Sequence, residues 1–349
     1  MHRISRALIA MSGGVDSSVA AYLAIEKGYS CIGSTMVLCQ KPQEVADARM
    51  VADRLGMKFH VIDAAEPFRA LVQEEFARCY ELGLTPNPCI TCNRQIKFGY
   101  LLDRARELSC DTIVTGHYAR VRQDETTGRY LLMKAADLTK DQSYFLATLT
   151  QAQLKHIYFP LGDMTKEQAR QIALDQGFIN AKKRDSQDIC FVPDGDYMTF
   201  LESFRGSTYP AGDFLDQDGH VVGRHRGAVA YTLGQRKGLG LAMGAPGYVC
   251  GKDMEKNTVI VGPNQALYTQ ELEADQANWL PFPTLDAPLR VLAKARSRQT
   301  EQPATVYPAE GGKFRVVFDQ PQRAITPGQT VVLYQDDTVL GSGRILASH

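Results

Sequence analysis

Four short apolar runs, Arg6–Met11, Ser30–Leu38, Lys58–Asp63 and Thr112–Thr115, alternate with helix-length stretches at Ser17–Lys27, Gln43–Leu55, Pro67–Leu82 and Phe98–Leu108. Parallel strands need a long crossover between them, usually a helix. The alternation therefore predicts an α/β fold, a parallel sheet with helices on both faces. A further helix is expected at Lys166–Gln176, ended by Gly177. Near residue 205 the texture changes. Glycines become dense (Gly219, Gly223, Gly227, Gly234, Gly238, Gly240, Gly244, Gly247), and short runs such as Val259–Val261 replace helical periodicity. This predicts a small, mostly β central module. Leu280–Pro288 reads as a linker. Beyond it Leu289–Ala295, Ala304–Tyr307, Phe314–Phe318, Thr330–Tyr334 and Val339–Ile345 predict a small C-terminal β-barrel. A chain of 349 residues exceeds one ordinary core, and the expected domains are 1–204, 205–280 and 281–349.

Charge balances at 39 basic and 39 acidic residues, which argues against indiscriminate nucleic-acid binding but leaves room for a local basic surface. The candidate clusters are Lys182-Lys183-Arg184, Arg224-His225-Arg226, Arg236-Lys237 and Lys294/Arg296/Arg298. Each taken alone reads first as a solvated face. No apolar run approaches the roughly 20 residues that a membrane span needs. The apolar start Ala7–Ala10 stops in Ser12-Gly13-Gly14, short of the roughly 7–15 residues of an export signal, so a cytoplasmic protein is expected. Its eight cysteines are then mostly reduced, and available for catalysis or metal binding.

The segment Ala10-Met11-Ser12-Gly13-Gly14-Val15-Asp16-Ser17-Ser18 joins the first strand to the first helix. Paired glycines let the backbone turn tightly and aim N–H groups at an anion, and the helix start adds its positive dipole end. It is not a Walker A loop, because no Gly-Lys-Ser/Thr follows, and it does not match the dinucleotide fingerprint. Ser-Gly-Gly-x-Asp-Ser resembles the pyrophosphate loop of the N-type ATP pyrophosphatases. That resemblance implies activation of an oxygen by adenylation, with ATP as its magnesium (Mg2+) complex, and it leaves the substrate open.

Thr85-Pro86-Asn87-Pro88-Cys89-Ile90-Thr91-Cys92-Asn93 sets two cysteines at CxxC spacing on a proline-stiffened loop before a helix. The nearby helix N-terminus, Arg94 and Lys97 are expected to lower the thiol pKa. CxxC by itself fits a redox pair or half of a zinc site. Cys190, in Arg184-Asp185-Ser186-Gln187-Asp188-Ile189-Cys190-Phe191, would by itself be a buried cysteine on an apolar face.

Together these segments resemble the tRNA 2-thiouridylases (the MnmA/TrmU family). Thr115-Gly116-His117-Tyr118, Lys140-Asp141-Gln142-Ser143-Tyr144-Phe145, Thr232–Gly240 and Thr326-Pro327-Gly328-Gln329 extend the likeness from about residue 7 to 345, in family order. The resemblance implies ATP on the phosphate loop, with Met36 and Gly116 near the adenosine. Uridine O2 attacks the α-phosphate. Cys190 then carries a persulfide supplied by a cysteine desulfurase or sulfur-relay protein, and Cys92 resolves it through a disulfide. Asn87, Pro88 and Cys89 lie against the flipped base, while His117, Lys140, Asp141, Gln142, Arg296, Ser297 and Gln329 fall on tRNA-contacting positions. The implied substrates are wobble-uridine tRNAs for Lys, Glu and Gln.

Two departures from the family pattern stand out. Cys89 occupies a position that is aspartate in well-known bacterial members, so that Cys89, Cys92 and Cys190 would hold an iron–sulfur cluster with one open iron. The segment Val37-Leu38-Cys39-Gln40-Lys41-Pro42 lacks the family's tryptophan-bearing acidic insertion, which bears on lid closure or partner docking there. The rival readings are another thiolase or amidating pyrophosphatase, and a non-catalytic tRNA-binding or iron–sulfur relative. An intact phosphate loop speaks against the non-catalytic one.

Overall fold

The computed structural model describes residues 5–39, 42–183, 189–192, 195–241 and 246–349. Strand β1 (Arg6–Ala10) runs down the middle of the first sheet, with Ala7, Leu8 and Ile9 fully buried because helices cover both its faces. The sheet order is β3 (Lys58–Asp63), β2 (Ser30–Val37), β1, β4 (Thr112–Val114), β7 (Ile157–Tyr158), all parallel. From β1 the chain crosses to β2 and β3 on one side, then returns to β4 on the other. That reversal is the topological switch point, where open α/β sheets leave a crevice outside the strand ends. It lies between the ends of β1 and β4.

Helix α1 (Val15–Glu26) follows β1 and α2 (Pro42–Arg54) follows β2. A helical stretch covers 65–81, with Pro67 in its first turn, where the missing N–H has no partner to lose. The expected helix at Phe98–Leu108 begins ten residues earlier. Helical structure covers 88–107, in wide π-type turns between Cys92 and Tyr100, so the two cysteines sit on the helix rather than on a loop before it. Pro88, at the first helical position, presets the backbone for that start.

A hairpin of β5 (Arg120–Gln123) and β6 (Tyr130–Met133) leaves this domain and joins the C-terminal sheet. The central module is a sheet of order β10 (Tyr248–Asp253), β11 (Thr258–Gly262), β8 (Gly212–Leu215), β9 (Val221–His225), mixed in direction, around Phe214, Val249, Val259 and Val261.

The C-terminal sheet closes into an antiparallel barrel: β12 (Tyr268–Trp279), β15 (Phe314–Arg323), β14 (Gln302–Pro308), β13 (Leu289–Lys294), β16 (Thr330–Gln335), β17 (Thr338–Ser348), back to β12. Strand β12 precedes the proline-rich linker, so it comes from sequence on the far side of the expected division at residue 280. Its polar alternation over Glu271–Asp275 masks a buried face formed by Leu272 and Ala274. No helix among the described residues is long and apolar enough to cross a membrane.

Candidate active site

The loop between β1 and α1 forms the floor of the switch-point crevice. Gly13 has φ +73°, and a Cβ there would lie 2.3 Å from the Glu44 carbonyl oxygen, so only glycine fits. The Gly13 carbonyl accepts hydrogen bonds from Asn180 Nδ2 at 3.1 Å and Lys183 Nζ at 3.2 Å. Ser17 and Ser18 hydroxyls each donate to the Gly14 carbonyl at 3.0 Å, and the Ser12 N–H donates to Ser17 Oγ at 3.1 Å. The loop is thereby folded before any anion arrives. The first-turn N–H groups of α1 have no earlier carbonyl in their own helix to bond, so they suit a phosphate. Asp16 is held by Lys166 Nζ at 2.7 and 2.8 Å and by the Tyr118 hydroxyl at 2.9 Å.

Gly116, at the end of β4, packs onto this loop so closely that a Cβ would sit 2.6 Å from the Asp16 carbonyl carbon and 2.7 Å from the Ser17 nitrogen. Most of the sequence-predicted nucleotide residues come together here, whereas Gly13, Gly14 and Val15 do not line the shared cavity. A cavity of about 210 Å3 is lined by Ala10, Met11, Ser12, Ser17, Met36 and Gly116, among others. His117, expected at a tRNA contact, lines this cavity too. Its Nδ1 lies 2.7 Å from Thr115 Oγ1, its ring packs on Phe98 and Phe159, and burial holds its pKa well below the ordinary value.

A second cavity, of about 630 Å3, shares Ser12, Asp16, Leu38, Lys97 and Gln142 with the first. Pro88, Cys89, Cys92, Cys190, Lys140 and Asp141 line it further along. Cys190, almost a hundred residues from the CxxC segment, thus joins the same site. A further cysteine, Cys39 just after β2, stands near enough to Cys190 for each thiol to shift the titration of the other. Among the described residues no disulfide joins any of the eight cysteines.

The expectation of lowered CxxC thiol pKa values is overturned. Burial pushes Cys92 up to about 11 and raises Cys89 as well, in each case against the attraction of the Lys97 ammonium. The helix start and Arg94 do not offset the lost hydration. Cys39 is the exception, held below the ordinary thiol value by the neighbouring Cys190, whose own value is correspondingly raised.

The expected RNA contacts divide. Asn87 precedes Pro88 at the helix start and lines a neighbouring groove. Asp141 accepts from Ala135 N–H, Ser143 N–H and Ser143 Oγ, which makes it the centre of a turn, and Gln142 Oε1 accepts from the Tyr118 N–H. Gln329 turns inward and donates to the Thr85 and Pro86 carbonyls at 2.8 and 3.3 Å. The Thr85 N–H in turn donates to the Pro327 carbonyl at 2.9 Å, so the barrel grips the loop that leads to the cysteines.

The strand carrying Lys294 ends there. Arg296, Ser297 and Arg298 fall in a turn, so the three cations of the candidate cluster Lys294/Arg296/Arg298 do not share one strand face. Arg296 is partly buried and donates to Thr326 Oγ1 and the Ala324 carbonyl, whereas Arg298 is exposed. The cluster at 224–226 is divided by His225, which is buried against Phe214 and Tyr231. Arg236 and Lys237 are exposed, as is Lys182, whereas Lys183 points to the phosphate loop. Arg184, Asp185–Asp188, Gln40, Lys41 and Gly244 lie outside the described residues.

Comparison with known proteins gives three consecutive family matches. A tRNA methyl transferase HUP domain matches residues 5–194, a tRNA methyl transferase PRC-barrel domain 198–263, and an aminomethyltransferase beta-barrel domain 269–345. The tRNA-specific 2-thiouridylase MnmA of Moorella thermoacetica is 48% identical over 351 residues, covering 97% of this chain and 98% of that protein. Its counterpart in Acetivibrio thermocellus is 46% identical over 354 residues (97% and 99%), and that of Clostridioides difficile 44% over 352 (97% and 98%). A solved 4-thiouridine synthetase–RNA complex with bound ATP overlaps at a TM-score of 0.37 with 15% identity, covering 57% of this chain and 50% of that one, too loosely to bear on its chemistry. With relatives of that identity along almost its whole length, the chain belongs to the tRNA-specific 2-thiouridylase (MnmA) family.

Proposed function

We propose that this protein uses ATP to activate the C2 oxygen of a tRNA wobble uridine and replaces that oxygen with sulfur, in the cytoplasm. One observation carries the reading: the phosphate-loop cavity and the cysteine cavity share a wall at Ser12, Asp16, Lys97 and Gln142. An α-phosphate seated on the loop and a thiol at Cys190 would then reach one uridine from adjoining sides. The descriptions of two matching domains name methyl transfer, whereas three thiols lining one cavity favour sulfur.

The order of events follows from that placement. MgATP seats its phosphates on the N–H groups of Ser12–Ser17, with the adenosine between Met36 and Gly116. The uridine, turned out of its stack, lies against Asn87, Pro88 and Cys89, and its O2 displaces pyrophosphate from the α-phosphorus. The terminal sulfur of a Cys190 persulfide, supplied by a cysteine desulfurase or relay protein, attacks C2, and AMP leaves. A neighbouring thiol, Cys92 by its family position, breaks the remaining S–S bond. Lys97, which acts on Cys89, Cys92 and Cys190 alike, stabilises whichever sulfur is anionic. Exposed cations of the central module and the barrel, Arg236, Lys237 and Arg298, meet the tRNA backbone. The substrates are tRNAs for Lys, Glu and Gln.

Cys89 in the same cavity favours a second reading, in which Cys89, Cys92 and Cys190 hold an iron–sulfur cluster that supplies an open iron for sulfide. The thiol donors fit iron in kind. They do not fit one ion as they stand, since among the described residues no three of these ligand atoms lie within 4.8 Å of one another. A cluster, with its thiolates spread over several irons, tolerates wider spacing.

The test is tRNA-dependent release of AMP and pyrophosphate, read with nucleoside mass spectrometry of the tRNA. Formation of 2-thiouridine upholds the reading; AMP release without thiolated nucleoside overturns it. Iron analysis after anaerobic reconstitution decides between the two sulfur routes.

A further inference from the structure

We propose that Gln153, which lines neither cavity, is a positioning residue for sulfur transfer: it holds the wide helical turn that puts Lys97 on the same face as Cys92. As a role in sulfur transfer, this rests on the thiolation reading above. An α-helix turns by about 100° per residue, so residues five apart point about 140° away from one another. Cys92 and Lys97 are five apart, yet both line the larger cavity together with Cys89 and Cys190. The reason lies in the backbone between them. From Cys92 to Tyr100 the helix winds in π-type turns, which close on the fifth residue and so bring such a pair to one side.

Turns of this kind are rare, and here a different element supports them. Gln153, in the one-turn helix Gln151–Leu154, donates from Nε2 to the Arg94 carbonyl at 2.8 Å and to the Phe98 carbonyl at 2.9 Å. A side chain that bonds into the hydrogen-bond ladder of a helix distorts it locally. Gly99 keeps the approach open, since a Cβ there would lie 3.1 Å from the Arg94 carbonyl oxygen. Capping of its own helix does not account for Gln153. Its Oε1 accepts from the Thr150 N–H at 3.0 Å and from Thr150 Oγ1 at 3.2 Å, closing a capping box that glutamate would serve equally well. The two donations to the cysteine helix require an amide. Their reach extends to the nucleotide, because the buried Phe98 ring packs on His117, which lines the first cavity. If the turn relaxed to ordinary α winding, Lys97 would swing off this face. The thiols would then lose a cation that favours their anionic form.

The deciding measurement reads charge at the thiols. Full-length protein, without tRNA or ATP, is labelled with neutral iodoacetamide and separately with anionic iodoacetate, and Cys89 and Cys92 are followed by peptide mass spectrometry. The ratio of iodoacetate to iodoacetamide rates reports a neighbouring cation, whereas a merely loosened fold speeds both reagents alike. In Gln153→Met the ratio is expected to fall roughly threefold or more, to the level of Lys97→Met, and combining the two changes should lower it little further. Gln153→Glu, which keeps the capping acceptor and so protects the fold, should behave in the same way. An unchanged ratio in a folded Gln153→Met overturns the proposal. So does a Lys97→Met effect as large in either Gln153 background as in wild type, a comparison that cancels the charge added by glutamate. In a single turnover of persulfide-loaded protein with tRNA and ATP, Gln153→Glu is expected to thiolate at least tenfold more slowly, and the wild-type rate overturns the assigned role. If the unmodified protein forms no thiolated tRNA, it is the thiolation reading that falls, and the labelling ratio still judges the placement of Lys97 by Gln153.

Discussion

Gly116→Ala is the most economical test of the phosphate-loop geometry. Gly116 is not in the left-handed region, so alanine meets no backbone strain there, and space alone decides. The added Cβ would lie 2.6 Å from the Asp16 carbonyl carbon and 2.7 Å from the Ser17 nitrogen, where ordinary contact begins at 3.4 Å. Both neighbours are backbone atoms of the α1 first turn and cannot rotate away. The two segments must therefore part by about 0.8 Å, the shortfall at the closer contact. Overpacking of this kind costs about 1–3 kcal/mol, or roughly 2–12 °C in the melting temperature of a domain of this size. The functional effect should be larger. A displacement near 1 Å in a positioned reactant costs on the order of 100-fold in rate. The assay pairs tRNA-dependent AMP formation with a thermal melt. Gly251→Ala serves as the control, because its Cβ would meet only side-chain atoms of Ile260 at 3.4 Å or more. If Gly116→Ala melts within the expected range yet forms AMP within twofold of wild type, the contact between the β4 end and the loop has no bearing on catalysis and the site assignment fails.

Further outcomes follow from the same geometry. Lys166→Met removes the cation 2.7 Å from a one-third-exposed Asp16; the cost is about 1–3 kcal/mol after allowing for solvent, with AMP formation lost in the same variant, checked by denaturant melts beside turnover. Gln329→Ala frees the Thr85 and Pro86 carbonyls, so iodoacetamide should label Cys89 several-fold faster with little change in melting temperature. Because burial raises Cys92, its thiol stays protonated past the ordinary value: labelling should be slight at pH 8 and climb towards pH 11, with Cys39 reacting first, as mapped by peptide mass spectrometry. Arg298→Ala should lower the salt slope of tRNA binding by about one unit, while Arg296→Ala, which strips a donor from Ala324 and Thr326, should show mainly as lost stability in a melt.

Much of the catalytic domain was legible because its signals are local. Apolar runs of strand length gave β1 to β4 nearly to the residue, and Ser-Gly-Gly-Val-Asp-Ser marked the one turn where backbone must face an anion. Signals that depend on tertiary context were not legible. Polar Thr91, Asn93 and Arg94 hid the helical start of 88–107, since Asn93 is buried by bonding the Phe145 carbonyl, a partner 52 residues away. Strand β12 is exposed along one face, so charge concealed its place in the barrel. The thiol pKa values went the wrong way because Arg94 and Lys97 are visible in sequence and desolvation is not.

The barrel's role shows best how sequence position and physical role part company. Gln329 and Arg296 look like surface hydrogen-bonding groups, and the family resemblance implies contact with RNA. In this structure both turn inward, Gln329 to the backbone of the Thr85–Asn87 loop and Arg296 to the turn at Ala324–Thr326 from which Gln329 projects. Thr85 N–H and the Pro327 carbonyl close the same contact, and Gly328, at φ +89°, lies so near Thr85 that a Cβ would meet its nitrogen at 2.9 Å. The chain from Arg296 through Thr326 and Gln329 to Thr85 therefore ends three residues before Pro88, where the cysteine helix begins. A tRNA that pressed on the barrel would be felt at Cys89 and Cys92 through hydrogen bonds rather than through contact. Coupling of that kind predicts that Gln329→Ala loses thiolation of bound tRNA more than it loses tRNA affinity. A purely RNA-binding Gln329 would show the opposite order, and a filter-binding titration beside single-turnover thiolation separates the two.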